Sequence, residues 1–214
     1  MKLLLTSAGI ANKSIAKALL SLTEISFHKL KLVFIPTAAN IEKGDKSWFI
    51  QDLWNCHNLG FSSIDIVDIS ALPQSIWEPR IQDAHILHIG GGNTYYLAHW
   101  IRKSGLRDIL PDLLKTKIYV GTSAGSIVVS PGFTMSSSEP GIFQHERTLN
   151  LVRFHIRPHL NSPDFPQIKK ETLEKRAVEL QAPIYCLDDQ SAITVVDDNI
   201  EVISEGKYLV FNPG

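Results

Sequence analysis

The amino-acid sequence predicts an α/β fold, a three-layer α/β/α sandwich around a mostly parallel sheet. Short β-rich runs alternate with longer amphipathic runs through the first two thirds of the chain, which is the pattern of βαβ units. Several short runs are apolar at every position, as strands covered by helices on both faces must be. The length of 214 residues favours a single domain spanning residues 1–214.

The elements of the first two thirds follow from hydrophobic spacing. We expect strands at residues 2–6, 31–35, 64–68, 84–89 and 118–120. We expect helices at residues 12–25, 45–59, 94–103 and 106–115. Because crossovers between parallel strands are right-handed, these elements predict a doubly wound, flavodoxin-like central sheet.

The last third of the chain has a different composition. Residues 131–141 contain Ser, Gly and Pro and indicate a loop, and residues 151–157 alternate like a strand that Pro158 ends. A helix is expected at 167–180, and strands at 183–187, 192–196, 201–204 and 207–211. Short turns at 198–199 and 205–206 join the last three strands, so we expect an antiparallel hairpin region at this end.

Composition and charge exclude several classes of protein. Lys plus Arg total 21 against 22 for Asp plus Glu, so no global field attracts nucleic acid or an acidic membrane. The longest apolar runs are too short for a membrane helix, and the one after Lys2 stops at Thr6, too early for an export signal. Cys56 and Cys186 lie in no metal-ligand spacing, which favours buried free thiols. We therefore expect a soluble, cytoplasmic protein without a metal site.

Residues 121–125 carry the strongest functional signal. They read Gly-Thr-Ser-Ala-Gly directly after a predicted strand, which is the G-x-S-x-G pattern of a nucleophile elbow. Small residues must flank so sharp a turn, and the Ser123 hydroxyl is then held at the carboxyl edge of the sheet. The backbone N–H of Ala124 would point at a developing oxyanion. A turn that only packs helix on strand is the alternative.

Residues 90–94 carry the second signal, Gly-Gly-Gly-Asn-Thr after another apolar strand. Consecutive glycines let the backbone approach a ligand closely. Tyr95 stands where a dinucleotide fingerprint needs glycine, and no P-loop ending is present, so phosphate binding is less favoured. Both segments end neighbouring parallel strands at one sheet edge, which predicts an oxyanion hole from Gly91 and Ala124. A tight turn without function is the alternative.

A serine nucleophile needs a general base, and the chain has eight histidines. His159 is favoured because it follows a strand that Pro158 ends and opens a turn-rich loop, where parallel-sheet enzymes display catalytic groups. His155 lies within that strand and ranks lower. His85 and His88 lie in a buried strand, where a hydrogen-bonded structural role is expected.

A third group must orient the imidazole of such a base, and a carboxylate beyond another strand would do so. Asp188 and Asp189 follow the predicted strand at 183–187, so either could reach His159. Glu139, in the loop after the elbow, is the competing candidate.

These motifs together resemble the peptidase E family of serine dipeptidases, relatives of the class I glutamine amidotransferase-like sandwich and of cyanophycinase. The resemblance runs in order through Phe-Ile-Pro-Thr-Ala at 34–38, Gly-Gly-Gly-Asn-Thr at 90–94, Gly-Thr-Ser-Ala-Gly-Ser at 121–126, Arg-Pro-His at 157–159 and Leu-Asp-Asp-Gln-Ser-Ala-Ile at 187–193. It covers nearly the whole chain. It implies Ser123 as the nucleophile, His159 as the general base, and the N–H groups of Gly91 and Ala124 as the oxyanion hole. We expect Asn93 to bind substrate.

The resemblance also bears on the acid and on the substrate. Family members with aspartyl dipeptidase activity use a glutamate where this chain has Asp189, which ranks Asp189 ahead of Glu139. They carry an arginine where this chain has Leu173, and a leucine cannot pair with a carboxylate, so strict preference for N-terminal aspartate is not expected. Arg157 or Arg176 could substitute, although a solvated or structural arginine is more common.

The sequence therefore predicts a serine peptidase that hydrolyses small peptides and needs no metal or organic cofactor. One alternative is a cyanophycinase-type or isoaspartyl-type amide hydrolase. The other is a non-catalytic, ligand-binding protein of the same fold. The chain is expected to be a monomer or homodimer. Trp48 and Trp54 share a predicted helix face, which favours core packing over a dimer contact.

Overall fold

The computed structural model describes residues 1–213 and contains two β-sheets flanked by α-helices. The strands are β1 (Lys2–Thr6), β2 (Lys31–Ile35), β3 (Ser63–Ile66), β4 (Ile86–Ile89), β5 (Ile118–Thr122), β6 (His155–Arg157), β7 (Ile184–Leu187), β8 (Ser191–Val196), β9 (Asn199–Ser204) and β10 (Tyr208–Phe211). The α-helices are α1 (Lys13–Thr23), α2 (Ser47–Asn58), α3 (Gln74–Asp83), α4 (Thr94–Lys103), α5 (Leu106–Leu113), α6 (Ala124–Ile127) and α7 (Lys170–Leu180).

The main sheet has the strand order β3-β2-β4-β5-β1-β8-β9. Its first five strands are parallel, and β8 and β9 are antiparallel additions at one edge. The order β3-β2-β4-β5 is that of the first four places in a flavodoxin-like sheet, and β1 takes the fifth place. The predicted α/β sandwich with a mostly parallel sheet is confirmed.

Side chains of the central strands alternate between two cores, because successive strand residues point to opposite faces. Leu3 and Leu5 of β1 pack with apolar residues of α3, α4 and α5. Leu4 packs on the opposite face with α1 and α2. Helices on both faces explain why these strands are apolar throughout.

The second sheet, in the order β10-β7-β6, overturns part of the predicted hairpin region. The hairpin of β8 and β9 forms, but β10 leaves β9 and pairs antiparallel with β7. The bend at residues 205–206 therefore joins two sheets. Turn residues indicate a reversal of the chain, but they do not specify the next partner strand.

Two further elements differ from the expected ones. The strand expected at 151–157 is confined to β6, because the N–H groups of Leu149, Leu151 and Val152 donate to the carbonyls of Val128 and Val129 instead. Helix α3 was not predicted. It contains Pro79, and only Trp77 and Ile81 are buried, so its apolar pattern is weak.

Within residues 1–213, no helix has both the length and the apolar character needed to cross a membrane. Cys56 and Cys186 are buried free thiols, as expected. A third apolar cluster lies between the small sheet and α7, and Leu173 is part of it together with Leu160 and Ile168.

Helix α7 offers a test of this third cluster. We expect Leu173→Ala to lower the free energy of unfolding by about 2 to 4 kcal/mol, because Leu173 is 4% exposed and truncation leaves a cavity. The control is Val178→Ala on the same helix, where Val178 is 75% exposed and the change should stay within about 0.5 kcal/mol. Urea unfolding measures both. Equal effects would contradict the packing of α7 described above.

Candidate active site

Ser123 lies in the sharp turn between β5 and α6, with φ 48° and ψ −103°. This conformation is strained for a residue with a side chain. The flanking glycines make the turn feasible. A Cβ on Gly121 would lie 2.6 Å from the carbonyl oxygen of Gly125, and a Cβ on Gly125 would lie 2.1 Å from the carbonyl oxygen of Ile89. The small residues of the motif are thus required by close approach of the backbone.

His159 lies beside this turn, in the loop after β6. The distance from Ser123 Oγ to His159 Nε2 is 2.9 Å. The backbone of His159 has φ 64°, and its N–H donates to Ser7 Oγ at 2.8 Å. The ring of Phe165 stacks on the imidazole with centroids 4.4 Å apart. Phe165 therefore holds the face of the ring, Ser7 holds the backbone of His159, and Ser123 lies at one ring nitrogen.

Asp189 lies on the far side of the imidazole, with Oδ1 2.7 Å from His159 Nδ1. The same oxygen accepts the Ser7 hydroxyl at 2.8 Å. Burial raises the pKa of Asp189, but the hydrogen bond and charge of His159 and the hydroxyls of Ser7 and Ser162 outweigh it, so the pKa lies below its usual range. The carboxylate is therefore charged at neutral pH.

The other two candidate acids are placed differently. Asp188 accepts from Ser191 Oγ at 2.6 Å and from the backbone of Gln190, so it stabilises the turn between β7 and β8. Glu139 is exposed, and its carbonyl oxygen accepts from Asn93 Nδ2 at 3.1 Å. Of the three carboxylates, Asp189 is the one hydrogen-bonded to His159.

The backbone at Gly91 and Ala124 borders Ser123. A Cβ on Gly91 would lie 3.5 Å from the Cβ of Ser123. The N–H groups of Gly90, Asn93 and Ser123 donate to backbone carbonyls, whereas those of Gly91 and Ala124 donate to no protein acceptor within residues 1–213. Two N–H groups without a protein acceptor thus belong to the backbone that borders Ser123, and their role as an oxyanion hole stays a prediction.

Asn93, the predicted substrate-binding residue, uses its side chain within the protein. Its Oδ1 accepts from the N–H of Tyr96 at 3.0 Å and so caps α4. Its Nδ2 holds the loop at Glu139. Asn93 lines the cleft described next, and contact with substrate stays a prediction.

Ser123, His159 and Asp189 open into a cleft of about 540 Å³. Its other walls come from the start of α2, the loop after β1 and the loop at residues 137–139. The ring of Trp48 lies against Gly91, with 3.5 Å between Trp48 and a Cβ built there. The expectation that Trp48 and Trp54 pack in the core was wrong, since they are 42% and 56% exposed. Trp48 faces the cleft, and Trp54 stacks on His57.

Asp52 belongs to a buried polar group behind the nucleophile. Its Oδ2 lies 3.2 Å from His88 Nε2, which also lies 2.9 Å from Thr122 Oγ1. Cys56 Sγ lies 3.3 Å from His88 Nδ1. Burial by itself would lower the pKa of His88, but Cys56 and Asp52 raise it to about 10. His88 therefore has polar neighbours at both ring nitrogens, consistent with the structural role expected for it.

A metal ion is another possible occupant of this group. The ligand atoms of Asp52, Cys56 and His88 lie within 4.8 Å of one another. The sulfur approaches one ring nitrogen and the carboxylate approaches the other. A single ion on either nitrogen would lie away from the third ligand. The donor arrangement therefore fits a hydrogen-bonded group better than a metal centre.

The residues considered for substrate specificity lie apart from one another. Leu173 is buried in the third cluster and does not line the cleft. Arg176 is on the surface of α7 beside Glu179. Arg157 lines the cleft and donates to the carbonyl of Met135 and to Ser137 Oγ, and burial lowers the pKa of Arg157 to about 10.

Sequence reasoning missed Ser7, Trp48, Asp52 and Phe165. One available signal was the position of Ser7, a polar residue directly after the central strand β1, at the edge where Ser123 lies. Another was the spacing of Trp48, Asp52 and Cys56 at i, i+4 and i+8, which gives them one face of α2. The contacts themselves join distant parts of the chain, and the spacing of residues cannot specify them.

The glycine after the serine tests the geometry of the turn. We expect Gly125→Ala to lower the free energy of unfolding by about 1 to 3 kcal/mol, because its Cβ would collide with the carbonyl of Ile89. Gly132→Ala is the control, since the nearest atom to a Cβ there is 4.0 Å away. Thermal or urea unfolding measures the difference. A stable Gly125→Ala variant would contradict the close approach of α6 to β4.

Comparisons with known proteins identify the family of the chain. A sequence profile of peptidase family S51 matches residues 3–203. Peptidase E of a Nostoc species is 29% identical over 195 residues, which cover 86% of this chain and 76% of that protein. An uncharacterized peptidase of Pasteurella multocida is 24% identical over 170 residues, covering 77% of this chain and 80% of that protein.

Solved structures show the same fold. The crystal structure of a candidate peptidase E from Listeria monocytogenes matches with a TM-score of 0.80 at 23% identity, covering 96% of this chain and 98% of that chain. The crystal structure of a peptidase from an acI-B1 actinobacterium matches with a TM-score of 0.70 at 20% identity, covering 98% and 90%. With the family profile spanning nearly the whole sequence, we conclude that this chain is a serine-type peptidase and belongs to peptidase family S51.

Proposed function

We propose that the protein is a dipeptidase-like serine peptidase that hydrolyses small peptides with Ser123, His159 and Asp189 as its catalytic triad. The observation that carries the proposal is the continuous hydrogen-bond chain through these three side chains, with distances of 2.9 Å and 2.7 Å. Its geometry is that of a nucleophile, a general base and an orienting carboxylate. The free N–H groups beside Ser123 support it further.

In the proposed reaction, Ser123 Oγ attacks the carbonyl carbon of the peptide bond and its proton passes to His159 Nε2. The resulting oxyanion accepts hydrogen bonds from the N–H groups of Gly91 and Ala124. The tetrahedral intermediate expels the amine, which takes the proton from His159. A water molecule then gives a proton to His159 and attacks the acyl carbon. The bond to Ser123 Oγ breaks, Ser123 takes the proton back from His159, and the acid product leaves. Asp189 holds the imidazole tautomer and stabilises the imidazolium.

The size of the cleft favours small substrates. A volume of about 540 Å³ is in the range of small-molecule sites, and it has room for a dipeptide rather than a folded chain. Leu173 is apolar and does not line the cleft, so it cannot pair with a substrate carboxylate, and strict aspartate preference is not part of the proposal. An isoaspartyl-type amide hydrolase would use the same nucleophile. Assays of the protein should therefore include isoaspartyl peptides beside ordinary dipeptides.

The nucleophile is tested with a fluorophosphonate, which bonds to an activated serine. We expect one adduct by intact-mass spectrometry on the wild-type chain and none on Ser123→Ala. Turnover of any cleaved dipeptide should fall by about 10⁶-fold in the variant. Equal thermal unfolding of the two proteins is the control. No adduct on the wild type would favour a non-catalytic protein, and an adduct on the variant would refute Ser123.

The triad acid is tested by comparing Asp189→Asn with Glu139→Gln. We expect Asp189→Asn to slow fluorophosphonate labelling and peptide turnover by about 10⁴-fold, because the amide favours the wrong imidazole tautomer. Glu139→Gln should leave both rates unchanged, since Glu139 is exposed and its carbonyl serves Asn93. Loss of activity in Glu139→Gln alone would reverse the assignment of the acid.

A further inference from the structure

The ring of Phe165 covers one face of the imidazole of His159, the proposed general base. The two ring centroids lie 4.4 Å apart, and the ring planes differ by only 10°. Phe165 also lines the cleft into which Ser123 opens. The ring thus lies directly over a group that gains positive charge during the proposed reaction.

Other histidines contact aromatic rings less closely. Phe143 and His99 form a comparable pair, with centroids 4.9 Å apart and planes at 46°, and neither residue lines the cleft. Among the histidine–aromatic pairs of residues 1–213, the pair at His159 has the shortest centroid distance and the most parallel planes. The negatively charged π face of Phe165 therefore points at the imidazole.

The loop after β6 is folded so that it returns this ring to His159. The N–H of Ser162 donates to the carbonyl of His159, and the N–H of Phe165 donates to the carbonyl of Ser162, each at 3.1 Å. Pro163 and Pro166 lie on either side of Phe165 in the chain. A proline fixes its own φ and restricts the residue before it, so this loop loses less conformational freedom on folding than a loop without prolines.

Apolar packing anchors the ring from the protein side. Phe165 is partly buried and packs against the third cluster, which contains Leu160 and Ile168. The N–H of Ile168 donates to the carbonyl of Phe165 at 2.9 Å. At a centroid distance of 4.4 Å no water fits between Phe165 and the imidazole. Because water weakens electrostatic interactions, its exclusion strengthens the attraction between a charge and an aromatic ring.

We propose that Phe165 is a positioning residue that stabilises the imidazolium form of His159 through a cation–π interaction and so favours proton transfer from Ser123. This inference rests on the proposed function of the Ser123 site. When Ser123 Oγ attacks, its proton passes to His159 Nε2 and the imidazole becomes a cation. The quadrupole of an aromatic ring attracts a cation held over its face within about 6 Å. The cation develops only as the reaction proceeds, so the contact is stronger in the transition state than in the free enzyme, and such a contact accelerates a reaction.

Asp189 and Phe165 would stabilise this cation from different directions. Asp189 Oδ1 lies 2.7 Å from His159 Nδ1, at the edge of the imidazole. Phe165 lies over the face of the same ring. A hydrogen bond at the edge sets the tautomer but does not prevent the ring from tilting. The stacked ring supplies that restraint together with its electrostatic attraction.

The test replaces ring hydrogens of Phe165 by fluorine, which weakens the negative charge of the π face with little change of shape. Monofluoro-, trifluoro- and pentafluorophenylalanine are incorporated at position 165, and the probe is a short-chain fluorophosphonate. In the labelling reaction Ser123 Oγ bonds to phosphorus, the phosphorus–fluorine bond breaks, fluoride leaves, and the hydroxyl proton passes to His159. Intact-mass spectrometry at several probe concentrations gives the limiting rate and the half-saturating concentration.

We expect the limiting rate to fall stepwise with fluorine content, by about 10-fold for pentafluorophenylalanine. The half-saturating concentration should stay unchanged, because Phe165 acts through His159. Phe165→Leu keeps an apolar side chain without a π face and should also be slower by about 10-fold. The matched control is the same fluorinated series at Phe143, which packs on His99 outside the cleft and should label at the wild-type rate.

Fluorine content separates electrostatic attraction from packing. A limiting rate that does not change with fluorine content would overturn the inference, even if Phe165→Leu is slow, because packing alone would then explain the slow variant. A change confined to the half-saturating concentration would overturn it too, since the ring would then only contact the probe. Equal slowing by the series at Phe143 would contradict an effect that passes through His159.

The wild-type chain distinguishes this inference from the proposed function. A wild-type chain that reacts with the fluorophosphonate while the series at position 165 stays flat refutes only the role of Phe165. A wild-type chain that does not react at all refutes the proposed function itself. Equal thermal unfolding of the fluorinated proteins and the wild type is the control for the fold.

Discussion

The close approach of α6 to β4 is the constraint on which the site depends. Gly125 lies so near the carbonyl of Ile89 that no side chain fits between them, and a Cβ on Gly121 would likewise collide with the carbonyl of Gly125. Between these contacts the chain at Ser123 takes φ 48° and ψ −103°, a strained conformation with positive φ, and its hydroxyl faces His159. Strands β4 and β5 end side by side here, so Gly91 borders the serine. The strain at Ser123, on the order of 1 to 3 kcal/mol, is offset by the buried packing around it.

The remaining members of the proposed triad come from the small sheet. Strands β6 and β7 are parallel, with Arg157 opposite Cys186, so the residues that follow them emerge at the same end. His159 and Asp189 therefore meet across neighbouring strand ends, although 30 positions separate them. Ser7, at the end of β1, joins this pair to the main sheet by bonding the backbone of His159 and the carboxylate of Asp189. The buried hydroxyl of Ser7 thus links the two sheets at the site.

Local patterns in the sequence predicted the elements that depend on local forces. The bounds of β1, β2 and α4 match the expected residues, because short apolar runs and clear helical spacing determine them. The partner of β10, the bonds that displace residues 149–152 from a strand, and the pairing of Asp52 with His88 depend on contacts between distant segments. No spacing rule encodes such contacts. Leu173 shows the same limit, since its departure from the Asp-specific pattern was visible in the sequence but its burial was not.

The proposed chemistry and the remaining walls of the cleft come from different parts of the fold. The proposed triad and oxyanion donors sit on loops at the ends of β4, β5, β6 and β7, where close backbone contacts leave little freedom for change. Trp48 of α2 also faces the cleft, whereas Cys56, two turns later on the same face of that helix, packs against the sheet. Short motifs at the strand ends therefore predicted a reaction, whereas the other walls of the cleft come from segments that meet only in three dimensions and carry no motif.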